Sequence, residues 1–276
     1  MKVFKQHLVD IKPGMAVALG IPLDENSSFL RGAAAAPQQI RDILHAGSAN
    51  LSAENGLDLE TNTFWKDIGD IIFPPEEDAL SVIKDTIGDI LKHGAKTLSL
   101  GGDHSITYPI IQAFAEQYPR LSILHIDAHA DLYHEFGGSK YSHACPFARI
   151  MESRLVHRLV QVGIRTMNPH QRQQAERFGV EVIEMRHWSQ AMTFEFEEPL
   201  YISLDIDAFD PAFAPGVSHH EPGGFSTRDV LRIIQTLRAD VVGADIVEYN
   251  PTRDPIGITG MLAAKFYKEL LALLLV

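Results

Sequence analysis

The sequence predicts an α/β domain built on a predominantly parallel sheet with helices on both faces. Three observations lead there. Seven short runs are continuously apolar or β-branched, the pattern of strands buried on both sides. Helix-period segments lie between them, and such alternation implies βαβ crossovers. At 276 residues with 45% hydrophobic content, the chain can bury one such core as a single domain, residues 1–276, and no Gly/Ser/Pro linker, repeat or low-complexity tract divides it. A barrel of eight strands and eight helices fits the same alternation, and periodicity does not separate the two.

Taken in chain order, the first strand is expected at MAVALGIP (residues 15–22). The stretch from Gly47 to Pro74 is the least regular and reads as loop, with room for one short strand. A helix follows in ALSVIKDTIGDILKHG, then strands at KTLSL (96–100) and LSILHID (121–127). RLVQVGIR (158–165), VEVIEM (180–185), LYISLDID (200–207) and DVVGADIVE (240–248) complete the set. STRDVLRIIQTLRAD reads as a helix opening on the cap residue Ser226. The final ELLALLLV continues a helical pattern from GITGMLAAKFYK and is too short for a membrane span.

Composition narrows the function. The formal charge of −12 repels phosphate backbones and anionic membrane surfaces, and no basic patch offsets it, so neither nucleic acid nor membrane is an expected partner. The opening MKVFKQHLVDIKPGM carries no sustained apolar segment or small-residue cleavage site. With Cys145 the single cysteine, no intrachain disulfide can form, which agrees with a reducing, cytoplasmic setting. A nucleophilic thiol beside His143 is one role for Cys145 and a small buried apolar residue is the other, favoured one.

Chemistry collects at three strand ends. KTLSL runs into GGDHSIT with His104, LSIL into HIDAHAD, and LYIS into LDIDAFDP. In an extended segment, alternate residues project to one side, so Asp127, His129 and Asp131 are expected to converge, as are Asp205 and Asp207. One Asp at such a junction is ordinarily a turn or cap residue. Six acidic and imidazole groups at three junctions are another matter, because clustered buried carboxylates repel and need compensation. Four aspartates balance two divalent cations, with His104 and His129 as neutral donors. Carboxylate and imidazole without thiolate suit two Mn²⁺ best, with Fe²⁺, Co²⁺, Ni²⁺ or Zn²⁺ also compatible. A metal pair acidifies water, so the implied reaction is hydrolysis. His125 shares the parity of Asp127 but lies deeper in the apolar run, which points to a supporting role.

These segments resemble a known family. GGDHSIT, HIDAHADLY and SLDIDAFDPAFAPG are similar to the three metal-binding signatures of the ureohydrolases, which include arginases, agmatinases, guanidinobutyrases and formimidoylglutamases. SFLRGAAAAP, KYSHACPFARIME, QVGIRTMNP, APGVSHHEPGGFSTRDVL and ADVVGADIVEYNPTRD resemble the plant-type arginase and agmatinase branch in particular. The resemblance implies a three-layer α/β/α sandwich around an eight-stranded, mainly parallel sheet, assembled as a homo-oligomer, a trimer or hexamer. It implies one metal on His104, Asp127, Asp131 and Asp205 and another on Asp127, His129, Asp205 and Asp207. It further implies a small guanidino substrate cleaved to urea and an amine. Glu248 would pair with the guanidinium, His143 would shuttle protons, and Asp131 would pass a proton to the leaving amine.

Substrate choice turns on fewer residues. Animal-type arginases carry an Asn and an Asp where this chain resembles Tyr133 and Asn168, and Asn168 can bond an ammonium but brings no charge. That departure ranks agmatine slightly above arginine, followed by guanidinobutyrate and formimidoylglutamate. His219 and His220, in GVSHHEPGG, serve either loop ordering or substrate contact. Two further readings stay open: hydrolysis of another C–N bond on the same metals, such as an acetylated amine, and a non-catalytic homologue, whose usual mark is a lost ligand.

Overall fold

A computed structural model describes residues 8 and 10–276; most of the opening segment read above for targeting signals lies outside them. Eight strands form one sheet: β1 Ala16–Ile21, β2 Trp65–Asp70, β3 Lys96–Gly101, β4 Ser122–Ile126, β5 Arg158–Ile164, β6 Glu181–Glu184, β7 Leu200–Asp205 and β8 Val241–Val247. Their order is β2-β1-β3-β8-β7-β4-β5-β6 and every pairing is parallel. Seven of them occupy the apolar runs. The eighth, β2, falls in the irregular stretch, where its edge position lets WKDIGD remain half-exposed.

Seven helices cover the sheet: α1 Ala36–His45, α2 Ala79–Leu91, α3 Thr107–Gln117, α4 Pro146–Glu152, α5 Pro169–Phe178, α6 Thr227–Thr236 and α7 Ile258–Leu274. Strand side chains alternate between faces. Ala16, Leu98, Leu124 and Ile202 pack with Ile40 of α1, Val230 of α6 and Phe266 of α7. Val17, Ile123 and Tyr201 face the other way, toward Ile83 of α2, Ile110 of α3 and Phe147 of α4. The architecture is therefore the three-layer α/β/α sandwich, not a closed barrel. The carboxyl-terminal α7 is buried along most of its length, and no helix among the described residues is long and apolar enough to cross a membrane.

Helix α6 shows why local sequence matters. The Ser226 side chain accepts from the Asp229 amide, while the Asp229 carboxylate accepts from the Ser226 amide, 3.0 Å away. Ser226→Ala removes this reciprocal cap and is expected to cost about 1 kcal/mol. Thermal melting should register a drop of roughly 2–4 °C.

One level of the sheet is polar. Ser99, Asp245, Ser203, His125 and Gln161 are successive register partners across β3, β8, β7, β4 and β5, and all five are fully buried. They lie one pleat below the carboxyl ends of these strands, where Asp127 and Asp205 emerge.

Candidate metal centre and substrate cleft

Three strand ends use the same local device. The Ser105 amide donates to Asp103 (3.0 Å), that of His129 to Asp127 (2.6 Å), and that of Asp207 to Asp205 (2.6 Å). Each aspartate thus ends its strand by capturing the amide two residues on, an Asx-turn. This corrects the expected route to convergence. β4 stops at Ile126, and Asp127, His129 and Asp131 lie beyond it in a turn, with Asp131 at φ 49°. In a continued strand, alternate residues would be about 6.6 Å apart in a line and could not all reach one point. Asp207 likewise follows β7 in a single 3-10 turn.

The turns bring all six expected ligands together. His104 Nδ1 lies 3.1 Å from Asp131 Oδ2, 3.1 Å from Asp205 Oδ2 and 3.3 Å from Asp127 Oδ2. His129 Nδ1 lies 3.0 Å from Asp207 Oδ2 and 3.6 Å from Asp127 Oδ1. Asp127 therefore faces both imidazoles, one through each oxygen.

Burial and mutual repulsion set the carboxylates of the cluster apart. Burial, then repulsion from Asp207 and Asp127, pushes the Asp205 carboxyl well above the usual carboxylate range. Burial likewise raises Asp207, to about 6, although His129 opposes it. His104 Nδ1 is fully buried, lacks a well-formed hydrogen bond, and is surrounded by three carboxylate oxygens. Burial opposes charge on this imidazole, but Asp127, Asp131 and Asp205 override it and raise His104 well above its ordinary range, so the position favours a positive centre, a proton or a metal ion. The oxygen and imidazole donors present fit divalent cations.

His125 is excluded from the donor set by hydrogen counting, although it lies close to His104 and Asp127. Gln161 Nε2 donates to the Ala130 carbonyl at 2.7 Å, which settles the orientation of its amide. The same nitrogen lies 2.9 Å from His125 Nδ1, so Nδ1 accepts and the ring hydrogen sits on Nε2. Nε2 then donates to Asp127 Oδ2 at 2.6 Å. His125 supports Asp127, as expected.

Beside the cluster is a cavity of about 150 Å³ whose walls include Ser28, Tyr133, Thr166, Gln171, His219 and Glu248. Glu248 follows β8 at φ 64° and its Oε1 accepts from the His104 amide at 2.9 Å and from His143 Nδ1 at 2.7 Å. Burial opposes charge on His143, but the Glu248 carboxylate overrides it and lifts the imidazole to about 9. Ser28 holds the other ring nitrogen, with its amide at 3.1 Å and its hydroxyl at 2.8 Å.

The remaining expected residues divide. Tyr133 and His219 line the cavity, whereas Asn168 does not. Its Oδ1 accepts from the Gln171 amide at 2.9 Å as the cap of α5, and its Nδ2 donates to the Tyr133 hydroxyl at 2.7 Å. His220 turns to the Pro215 carbonyl at 2.7 Å and orders its loop. Cys145 is buried, and burial pushes its thiol up to about 12, so it offers no thiolate near neutral pH. Ser28, Thr166 and Gln171 went unnoticed in the sequence. Each is an ordinary polar residue more than 30 positions from every expected metal ligand, and only the fold places it at the cavity.

Comparison with known proteins gives a consistent result. A family model described as the arginase family matches residues 15–272. Arginase 1, mitochondrial, of Arabidopsis thaliana is 47% identical over 92% of this chain and 79% of its own length. The arginase structure from Medicago truncatula superposes with a TM-score of 0.90 at 42% identity, covering 97% of this chain and 89% of that one. Proclavaminate amidino hydrolase from Streptomyces clavuligerus gives 0.83 at 32%, covering 96% and 93%. One expectation is overturned. The cytoplasmic location inferred from cysteine usage conflicts with plant relatives whose names are mitochondrial or chloroplastic, and a lone buried thiol does not discriminate between these reducing compartments.

Proposed function

The chain belongs to the arginase family, whose members are hydrolases of guanidino C–N bonds, and on that premise we propose that it is itself an arginase, converting L-arginine to L-ornithine and urea. The observation that carries the choice of substrate is identity of 46–47% to plant arginases along more than nine-tenths of the chain. This reverses the ranking of agmatine above arginine. That ranking treated Asn168 as a partner of the substrate's α-amine, but its amide is committed to the α5 cap and to Tyr133. Its lack of charge therefore says nothing about the substrate. Ser28, Thr166 and Gln171 line the cavity as uncharged polar residues, the Ser28 hydroxyl shared with His143 and the Gln171 amide oxygen with the α5 cap.

Two Mn²⁺ would be held by His104, Asp127, Asp131 and Asp205, and by Asp127, His129, Asp205 and Asp207. When bound, such a pair supplies Lewis acidity that lets water attack near neutral pH. Glu248 orients the guanidinium. Among the described residues its side-chain hydrogen bonds, from the His104 amide and His143 Nδ1, fall on Oε1, leaving Oε2 for a substrate N–H. Charge-assisted pairing there turns the guanidinium carbon toward the metal cluster. Asp131, on the cavity wall, accepts a proton as attack proceeds and passes it to the departing amine. His143, donating through Nδ1 to Glu248 and accepting the Ser28 amide at Nε2, relays a proton between solvent and the product amine.

The test compares kcat/KM for L-arginine, agmatine, 4-guanidinobutyrate and 3-guanidinopropionate in the Mn²⁺-loaded protein. Arginine should exceed agmatine by tenfold or more, equivalent to about 1.4 kcal/mol of discrimination at the α-carboxylate. Preference for agmatine would sink the arginase assignment. Formamide or acetate released without urea from other amides would place the chemistry on a different C–N bond.

A further inference from the structure

Asp245 is a fully buried carboxylate that no step above employs. It lies on β8 in the polar row, one strand from Ser203 and three residues before Glu248. Three hydroxyls converge on it. Ser203 Oγ donates to Oδ1 at 2.7 Å, while Thr107 Oγ1 and the Tyr201 hydroxyl donate to Oδ2 at 2.8 and 3.0 Å. On the far side of Ser203, its Oγ lies 2.9 Å from His104 Nε2.

Hydrogen counting gives this chain a direction. Ser203 has one hydroxyl hydrogen and uses it on Asp245, so toward His104 it presents only lone pairs. His104 Nε2 must then carry the ring hydrogen, and Nδ1 is left with its lone pair. Nδ1 is the atom facing Asp127, Asp131 and Asp205. The ring plane is held as well, edge-on to Phe147 at 5.3 Å between centroids.

We propose that Ser203 and Asp245 are positioning residues for His104, dictating through a Ser–Asp relay which ring nitrogen is free to bind metal. The proposal rests on the metal reading above and deepens it. Thr107 and Tyr201 both donate to Oδ2, so either one alone keeps it occupied, and Oδ1 has Ser203 as its donor. Without the relay, either ring nitrogen can hold the hydrogen, and a hydrogen on Nδ1 would stand where the cation belongs.

Asp245→Asn separates this from a role in packing alone. An amide at this position must turn its nitrogen toward one side. Two hydroxyls donate on the Oδ2 side and both would have to turn if the nitrogen sat there, whereas one suffices on the other side, so the nitrogen faces Ser203 and donates to it. Ser203 then turns its hydrogen to His104 Nε2, and the ring hydrogen moves to Nδ1. The full-length Mn²⁺-loaded protein is dialysed against graded EGTA–Mn²⁺ buffers, bound Mn²⁺ is counted, and melting is followed in parallel. Asp245→Asn is expected to weaken Mn²⁺ retention by about 10–100-fold. Thr107→Val, which removes a hydroxyl from Asp245 without touching Ser203, should lower the melting temperature yet keep wild-type retention.

In ¹⁵N-histidine spectra of the Zn²⁺-loaded wild type, His104 should show an Nε2-bound hydrogen. Should Asp245→Asn fail to fold, Ser203→Ala decides by the same retention assay, and weakened retention supports the relay. Wild-type retention in a folded Asp245→Asn or Ser203→Ala variant would overturn the relay alone. A wild-type chain that holds no Mn²⁺ would overturn the metal reading and the relay with it.

Discussion

Asp127→Asn should abolish turnover, lowering kcat by at least about 10³-fold, or roughly 4 kcal/mol of transition-state stabilisation. The reason lies in the hydrogens around it. His125 Nε2 donates to one oxygen and the His129 amide to the other, each at 2.6 Å. The first hydrogen is fixed by Gln161 and the second belongs to the backbone, so neither can turn away. Whichever way an asparagine amide is placed, its NH₂ meets a donor. The substitution thus loses a charge from a site built to hold cations and adds a buried donor–donor contact. Metal analysis should find fewer than two Mn²⁺ per chain. A folded Asp127→Asn protein with two Mn²⁺ and ordinary urea release would show that Asp127 is not shared between the subsites.

Gly102→Ala is expected to be the most damaging change that touches no functional side chain. A Cβ there would sit 1.7 Å from the Leu23 carbonyl oxygen and 2.6 Å from its carbon, both backbone atoms that cannot swing aside. The Gly102 amide donates to Ile21 at 3.1 Å and its carbonyl accepts from Glu248 at 2.9 Å, so the residue is clamped between the ends of β1 and β8. Relieving the clash must displace the start of the His104 turn or the backbone of Glu248. A loss of about 4 kcal/mol is expected, a drop on the order of 10 °C in melting temperature, together with lost Mn²⁺. Gly88→Ala is the matched control. Its Cβ meets nothing within 4 Å on α2, and it should stabilise by about 0.5–1 kcal/mol. Equal melting curves for the two alanine variants would refute the steric account.

Much of this was legible in the residues themselves. Parallel strands covered on both faces read as unbroken apolar runs, which placed seven of eight, whereas β2 showed only as room for one short strand between Gly47 and Pro74, because an edge strand can carry Lys66, Asp67 and Asp70. The six metal-facing residues were visible as an excess of charge where apolar runs ended. How they converge was not, because Asx-turns depend on an amide two residues away that alternation ignores. The two glycines of GGDHSIT were read as a turn, yet Gly102 answers to the approach of Leu23, a contact across 79 positions of chain. The pairing of His143 with Glu248 spans 105. The polar row was hidden for another reason. Ser99, Gln161, Ser203 and Asp245 each stand alone within an apolar segment, where one polar residue is unremarkable, and only strand register shows that they are neighbours.

Strand order carries a consequence for biosynthesis. β7 and β8 are the last strands made, yet they fill the middle of the sheet, between β3 and β4. Until they arrive, the nascent chain holds two half-sheets whose inner edges, β3 and β4, present unpaired backbone groups and bare apolar faces. Such edges template association with other chains. Translation that stalls between Glu184 and Leu200 would leave both edges open, a state in which this protein most needs a chaperone.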